Sequence, residues 1–332
     1  MFLPPFSFAR WFPLPGPLLP ALSLAVSVAA ADGQAQIPSA SAQTAAGDQT
    51  LPEKISGLGL WLDAAALAPL LQEGEAVMRW PDKSGNAYDA VFEARIPQVK
   101  FPGSPYGTTP QSKLQVGHHQ PPTFRADALA GRPAVSFAAS KRQTLVLDFA
   151  GHALGQDVPG FSAAFVVRAA LDYGPPPAPD VEWSSNRYLF ISHLSIYNTR
   201  FAVQVESGSG ALRVSSRPLP GESITSLPPP RHPPILALEP HAWHRLLVSV
   251  DYRRKAMDIL LDGTPFHGRL PPESGSKAED VPSPITGIGS NTLGEWITCD
   301  LAELICYEKA LGDGEMRNLD RYFQGKYSLG EK

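Results

Sequence analysis

From residue 58 onward the chain alternates apolar and polar positions in short runs, the two-residue period of strands that lay one face on a core. Leu58, Leu60 and Leu62 open the series, and further runs fall at 76–80, 88–92, 133–137, 144–147, 161–169, 187–193, 201–206 and 211–215. The clearest hairpin pairs 243–251 with 256–261: His244, Leu246, Val248 and Val250 alternate against Met257, Ile259 and Leu261. Asp262 and Gly263 supply the positive φ that a tight connection to 264–266 requires. The last run, 299–307, puts Leu301 and Ile305 on one face and Leu304 and Cys306 on the other, so it is predicted to be covered on both sides and to lie beside the first strand. A helix follows it. Gly312 is its predicted N-cap, Asp313 and Glu315 fill the first turn, Met316, Leu319 and Phe323 form one apolar face, and it ends near Gly325. Residues 64–71 read as a helical turn.

Between these runs the text changes. Residues 93–131 are rich in Pro, Gly, Gln and His with few periodic apolars, longer than a connection in a compact domain needs, and read as a functional or disordered loop, while the Pro-rich 174–180 and 217–240 are predicted to be surface excursions. Many short strands, turn signals between them and one late helix predict an all-β protein, a two-sheet antiparallel jelly-roll sandwich with a short C-terminal helix. Ahead of it, Arg10 is the only early charge, 18–30 is apolar and Val28 to Ala31 are small, the pattern of a signal peptide over 1–31. That run is too short and too broken by proline for a membrane span. Residues 32–54 read as a flexible linker and 55–329 as the domain, so the expected location is secreted, periplasmic or cell-envelope.

Composition narrows the function. The 332 residues, 43% hydrophobic, are enough for a sizeable core, and the 35 Pro and 28 Gly suit a fold made of turns. A net charge of −4 without any block of Lys or Arg argues against nucleic acid as a partner. The two cysteines, Cys299 and Cys306, lie on one predicted strand roughly 23 Å apart, beyond disulfide reach, and are predicted to be buried thiols.

Several stretches together carry a family likeness: Gly-Leu-Trp-Leu-Asp at 59–63, Trp-Pro-Asp-Lys-Ser-Gly-Asn at 80–86, Ala-Gly-Arg-Pro-Ala-Val-Ser-Phe at 130–137, Trp243-His244 and its strand through Gly263, and 300–311. In order and spacing they resemble bacterial laminin-G-like domains of the concanavalin A-like lectin/glucanase superfamily, over 58–329. The resemblance implies a concanavalin A-like sandwich, usually secreted, often binding carbohydrate. It implies a glycan or a cell-surface protein as partner, and allows a structural calcium held by backbone carbonyls. The insertions at 93–130, 171–185 and 218–240 depart from the family pattern and fall where its members differ in ligand. Alternatives within the superfamily are a glycoside hydrolase or polysaccharide lyase, or a structural or adhesion domain.

Related glucanases place catalytic carboxylates on one strand as Glu-x-Asp-x-x-Glu or with one residue fewer. Here Thr298 stands where the first Glu belongs, and a regular strand sends Asp300 and Glu303 to opposite faces, so no catalytic residue is assigned. Asp180 and Glu182 share a face but sit in a Pro-rich stretch with no apolar wall. Glu303 is expected to be a buried carboxylate satisfied by backbone N–H groups near the start of the chain. Residues 82–93 space oxygen ligands like a calcium loop, but Ala87 replaces the required Gly and a strand begins at Tyr88, so a Ser-Gly-Asn turn is predicted. His244 points inward with Leu246 and does not join His241 on a metal face, so no metal site is assigned. No phosphate loop, nucleophile elbow or Cys-x-x-Cys is present. Sugars stack on aromatic faces and bond to amides, and the candidate ligand-binding residues, in or beside loops, are Tyr106, Trp183, Asn186, Tyr188, Tyr197, Asn198, Asn291 and Trp296. Trp61, Trp80 and Trp243 fall within strand patterns and are assigned to structure.

Overall fold

The computed structural model describes residues 52–92, 120–141, 143–147, 158–170, 186–195, 198–206, 208–216, 225–228, 235–270, 291–293 and 297–330. In chain order the strands are β1 (Leu58–Asp63), β2 (Arg79–Trp80), β3 (Ala90–Val91), β4 (Thr123–Leu129), β5 (Arg132–Phe137), β6 (Leu145–Leu147), β7 (Gly160–Ala170) and β8 (Asn186–Ser195). They continue with β9 (Asn198–Glu206), β10 (Leu212–Ser216), β11 (Thr225–Leu227), β12 (Trp243–Asp251), β13 (Ala256–Leu261), β14 (Thr264–Arg269), β15 (Asn291–Leu293) and β16 (Thr298–Tyr307). Among the described residues one α-helix, α1 (Asp313–Tyr327), closes the series.

The described strands form two antiparallel sheets of eight. The first runs β14-β13-β12-β7-β16-β5-β4, and the second runs β11-β10-β9-β8-β15-β6-β3-β2. β16 is the keystone of the first: β7 pairs with it along one side, while β5 and then β1 share the other. The expected neighbourhood of first and last strands is therefore real. Side chains of alternating parity, such as Leu62, Phe165, Val248 and Leu304 from the first sheet and Phe201 and Val203 from the second, fill the space between the sheets. Phe161 meets Phe190 and Phe201 across that space at 6.3 and 4.9 Å. This is the all-β two-sheet sandwich that the alternation predicts.

α1 covers part of the first sheet's outer face. Met316, Leu319 and Phe323 pack on Ala164, Val166, Leu247 and Ile305. Glu315 accepts the Gly312 amide at 3.1 Å, half of a capping box, and the helix ends at Ser328 in the left-handed region. It passes Gly325 because Tyr327 is buried and has a partner below.

The faces of β16 differ from simple alternation. Opposite β7, Leu301 pairs with Val167 and Glu303 with Val166, so Ala302 is an extra residue, a β-bulge. The bulge reverses parity. Leu301 joins Leu304 and Cys306 between the sheets, and Ile305 turns out beneath α1 with Ala302 and Tyr307.

Within 93–131, read as a loop, β4 is a strand. Its sequence hides it: only Phe124 and Leu129 are buried, while β5 and the backbone of Gly74 and Glu75 hold it from both sides. β11, inside the 217–240 excursion, and β15 are three-residue strands too brief to show a period. The turn after β13 has φ 49° at Asp262 and 87° at Gly263, the geometry expected of a tight hairpin. The helical turn appears as a 3-10 turn, Ala64–Leu67, whose Ala65 amide donates to the Asp63 carboxylate at 3.0 Å. Pro52–Lys54, at the end of the stretch read as linker, also form a 3-10 turn, and the Pro52 carbonyl accepts the Tyr307 hydroxyl at 3.1 Å. Residues 1–51 lie outside the described residues. Cys299 and Cys306 are free and buried, and burial pushes both thiols well above the usual range. Among the described residues no helix is long and apolar enough to cross a membrane.

Candidate functional site

The part of the first sheet's outer face that the α1 cluster leaves open carries a different set of side chains. Register aligns Thr123 with Ser136, Ser136 with Asp300, Asp300 with Arg168 and Arg168 with Trp243, a row across β4, β5, β16, β7 and β12. Their chain neighbours Phe124, Val135, Leu301 and Val167 point between the sheets, so the row faces outward. A half-open depression of about 350 Å³ lies along it, lined by Arg125, Ser136, Arg168, His241, Thr298 and Asp300 among others.

The depression is built around one guanidinium. Arg168 donates from Nε and Nη2 to Asp300 Oδ2 at 2.9 and 2.5 Å. Its Cζ lies 5.0 Å from the centroid of the Trp243 ring, which rests against the α1-side cluster. Arg168 is thus held by an acceptor and by a flat apolar support. Arg125, on the outer strand, pairs through Nε with Glu73 at 2.6 Å. Thr298 Oγ1 accepts the Ala139 amide at 3.2 Å, and the His241 amide donates to Ala169 O at 2.9 Å, which ties the loop before β12 to the rim.

The bulge at Ala302 puts Asp300 and Glu303 on the same sheet face, not on opposite faces. Nothing else about them matches. Glu303 has no exposed surface and receives four side-chain donors instead of the expected backbone amides: Trp61 Nε1 at 2.6 Å and Tyr322 OH at 3.0 Å on Oε1, Lys326 Nζ and Tyr327 OH, both at 2.8 Å, on Oε2. Its donors do include a residue near the start of the fold, Trp61. Lys326 also holds Asp63 Oδ2 at 2.9 Å, and Lys83 meets the same oxygen at 2.9 Å while lying over the Trp61 ring. Burial holds the Glu303 carboxyl above the usual carboxylate range, with Lys326 opposing it. For Asp63 burial also pushes up, but Lys326 and Lys83 together bring the carboxyl below that range. Burial and Glu303 push the hydroxyls of Tyr322 and Tyr327 far up, so both remain donors. One carboxylate of β16 is sealed under α1 and the other is bound to Arg168. Among the described residues no carboxylate pair flanks the depression.

Of the residues selected for sugar binding, Tyr106, Trp183, Tyr197 and Trp296 lie outside the described residues, as do Asp180 and Glu182. Asn186 and Tyr188 begin β8, Asn198 begins β9 and Asn291 begins β15, all in the second sheet. Tyr188 is half-buried and stands opposite Gln204. Asn198 pairs with Ser195 and Asn291 with Ser192, near the far end of β8, so the register separates these two from Asn186 and Tyr188. The calcium-like stretch closes on itself: the Asp82 carboxylate accepts the amides of Trp61, Ser84 and Tyr88 and the Ser84 hydroxyl. Ala87 takes the positive φ, 60°, where a glycine would be at ease. His244 is buried with Nδ1 2.7 Å from Asp262 Oδ2, and among the described residues no group of three or more His, Cys, Asp or Glu is placed to hold a metal ion.

Sequence reading missed Arg125, Ser136, Arg168, His241 and Asp300. A signal was present for Arg168, the only charged residue in the apolar run from Gly160 to Ala170. Nothing in the sequence reveals that Asp300, 132 residues away, stands beside it.

No protein-family model and no curated protein matches the sequence. Among solved structures, the binding domain of Paraclostridial Mosquitocidal Protein 1 is 11% identical with a TM-score of 0.47, over 82% of this chain and 53% of that one. The ligand-binding domain of botulinum neurotoxin serotype D, in complex with N-acetylneuraminic acid, is 11% identical with a TM-score of 0.43, over 81% and 51%. Trypanosoma rangeli sialidase in complex with the inhibitor DANA is 11% identical with a TM-score of 0.41, over 80% and 33%. The chain spans between a third and about half of the length of these structures. At such identities and with TM-scores under 0.5, these likenesses assign neither a family nor a ligand to this chain.

Proposed function

We propose that the chain is a noncatalytic binding module, exported to the cell envelope or beyond, that recognises carbohydrate or another extracellular surface. The observation that carries this reading is the polar depression on the first sheet: a guanidinium fixed by Asp300 and Trp243, hydroxyls beside it and, among the described residues, no carboxylate pair flanking it. A preformed, solvent-facing set of donors and acceptors suits a ligand rich in hydroxyl or charged groups. The laminin-G-like identity within the concanavalin A-like superfamily is part of the proposal. Its support is that the stretches carrying the resemblance fall on β1, the turn packed on it, the β4–β5 hairpin, the β12–β13 hairpin and β16. These are the elements of the first sheet and its join. The 93–131 stretch supplies β4 to that frame and 217–240 supplies β11 to the second sheet; with 174–180, they remain candidates for ligand contact in their own right.

The test is affinity electrophoresis of the protein through gels containing soluble polysaccharides, together with a glycan array. Retardation by at least one polysaccharide, without release of reducing sugar, is the expected result. A folded protein that no polysaccharide retards and no array spot captures would remove the reading. Export is tested by expressing the full chain with its leader and sequencing the N-terminus of the secreted product, with cleavage expected near Ala31.

A further inference from the structure

We infer that the open part of the first sheet's outer face binds an anionic group, carboxylate or sulfate, borne on a polysaccharide. This rests on the glycan-binding reading above and gives it a place and a charge class.

Arg125 and Arg168 both line the depression, each paired with one carboxylate, Glu73 and Asp300, and among the described lining residues Asp300 is the carboxylate. Asp300 engages Nε and Nη2 of Arg168 and leaves the remaining guanidinium N–H groups outside that fork. With Trp243 beneath it, Arg168 keeps little rotational freedom, so a bound oxyanion orders few additional torsions. The strand context is telling. β7 is buried at nearly every position, yet at Arg168 it spends a charge on an open surface, opposite the only charged residue among Thr298 to Ala302.

Ser136 and Thr298 add hydroxyls to the same wall, and the Thr298 oxygen accepts from Ala139 and so keeps its own proton to donate. Two planar forks with flanking hydroxyl donors match the oxygens of a carboxylate or sulfate better than a neutral diol, which would need free acceptors. Among the described residues the wall has no aromatic ring on which a neutral sugar could stack, since Trp243 presents a face to Arg168.

The experiment compares polygalacturonate (carboxylate), chondroitin sulfate (carboxylate and sulfate), dextran sulfate (sulfate only) and dextran (neutral) as immobilised ligands for the full chain, at two salt concentrations. Wild-type protein is expected to bind at least one acidic polymer more tightly than dextran, with binding weakened by salt. Arg168→Met is expected to weaken that binding about ten- to hundredfold. Arg125→Met, on the outer strand and half-exposed, is the companion variant in case loss of the Asp300 partner harms folding, and is expected to act in the same direction. Equal binding to polygalacturonate and dextran sulfate assigns the shared oxyanion chemistry, and preference for one assigns the source. If dextran binds as well as the acidic polymers, or if both folded variants bind acidic polymer like wild type, the inference fails and the module reading stands. Binding to none of the polymers and to no array glycan overturns both.

Discussion

Replacing Lys326 by Met removes the one cation that two buried carboxylates share. Its ammonium lies 2.8 Å from Glu303 Oε2, 2.9 Å from Asp63 Oδ2 and 3.1 Å from Tyr322 OH. The lysine side chain is 14% exposed, Asp63 5% and Glu303 not at all. Met retains most of the stem's packing, so the change isolates the charge. Breaking one partner out of a buried ion pair costs roughly 3–5 kcal/mol, because it strands the remaining charge in a medium that cannot solvate it. Glu303 keeps Trp61, Tyr322 and Tyr327, and Asp63 keeps Lys83, so the lower end of that range, about 3 kcal/mol at pH 7, is expected.

The pH dependence has a definite sign. Asp63 is held below its ordinary value, so it contributes stability above its unfolded pKa that disappears as pH falls through the folded value. Glu303 is held above its ordinary value, so the wild-type fold gains stability as pH falls through the raised value toward the unfolded one. Without Lys326 the Asp63 contribution shrinks and Glu303 is pushed further up. As pH falls, Glu303 protonates first, through its raised value, and Asp63 only below its ordinary value of about 3.9, after which Lys326 has nothing to pair with. The deficit of the variant is therefore largest at neutral pH and narrows in acid, the Asp63 share persisting until pH is below about 4. Urea denaturation at several pH values, followed by tryptophan fluorescence, measures it. A loss below about 1 kcal/mol, or one that stays constant between neutral and acid pH, would refute the clamp.

Gly160→Ala should destabilise the fold by about 1–3 kcal/mol, seen as a lower urea midpoint, because the added methyl would sit 2.5 Å from the Ala310 nitrogen and 2.8 Å from the Val250 oxygen. Asp262→Ala should cost about 1–3 kcal/mol by the same measure, since its carboxylate takes the Arg245 amide at 2.9 Å and His244 Nδ1 at 2.7 Å. Neither Cys299 nor Cys306 should react with a thiol reagent in the native protein, and both should react in denaturant; fast native labelling would contradict their burial.

Alternation made the first sheet legible because β1, β7, β12, β13 and β16 each bury one or both faces in long apolar runs. β4 was not legible, since its Thr-Phe-Arg-Ala-Asp-Ala-Leu sequence serves an outer strand and buries little. The extra residue at Ala302 has no signature either: alanine fits a bulge as readily as a regular strand, and one inserted position reverses every face that follows. The depression was illegible for a related reason. Its residues are scattered from Arg125 to Asp300 and meet only through strand register, which a one-dimensional pattern does not contain. Glu303 was recognisable as a structural carboxylate, but its donors come from a helix whose tyrosines look like ordinary packing residues.

The central place of β16 also governs how the chain can be assembled in time. Until that strand exists, its sheet is two unjoined pieces, β5 with β4 and β7 with β12, β13 and β14, while β1 is held only to the 82–86 turn and lacks its partner in the sheet. Trp61 and Glu303, which meet in the finished fold, are 242 residues apart. A ribosome must have delivered the chain from Trp61 through Glu303 before the first strand can dock in its sheet, and closure over so long a separation is slow, which leaves the nascent protein open to chaperones.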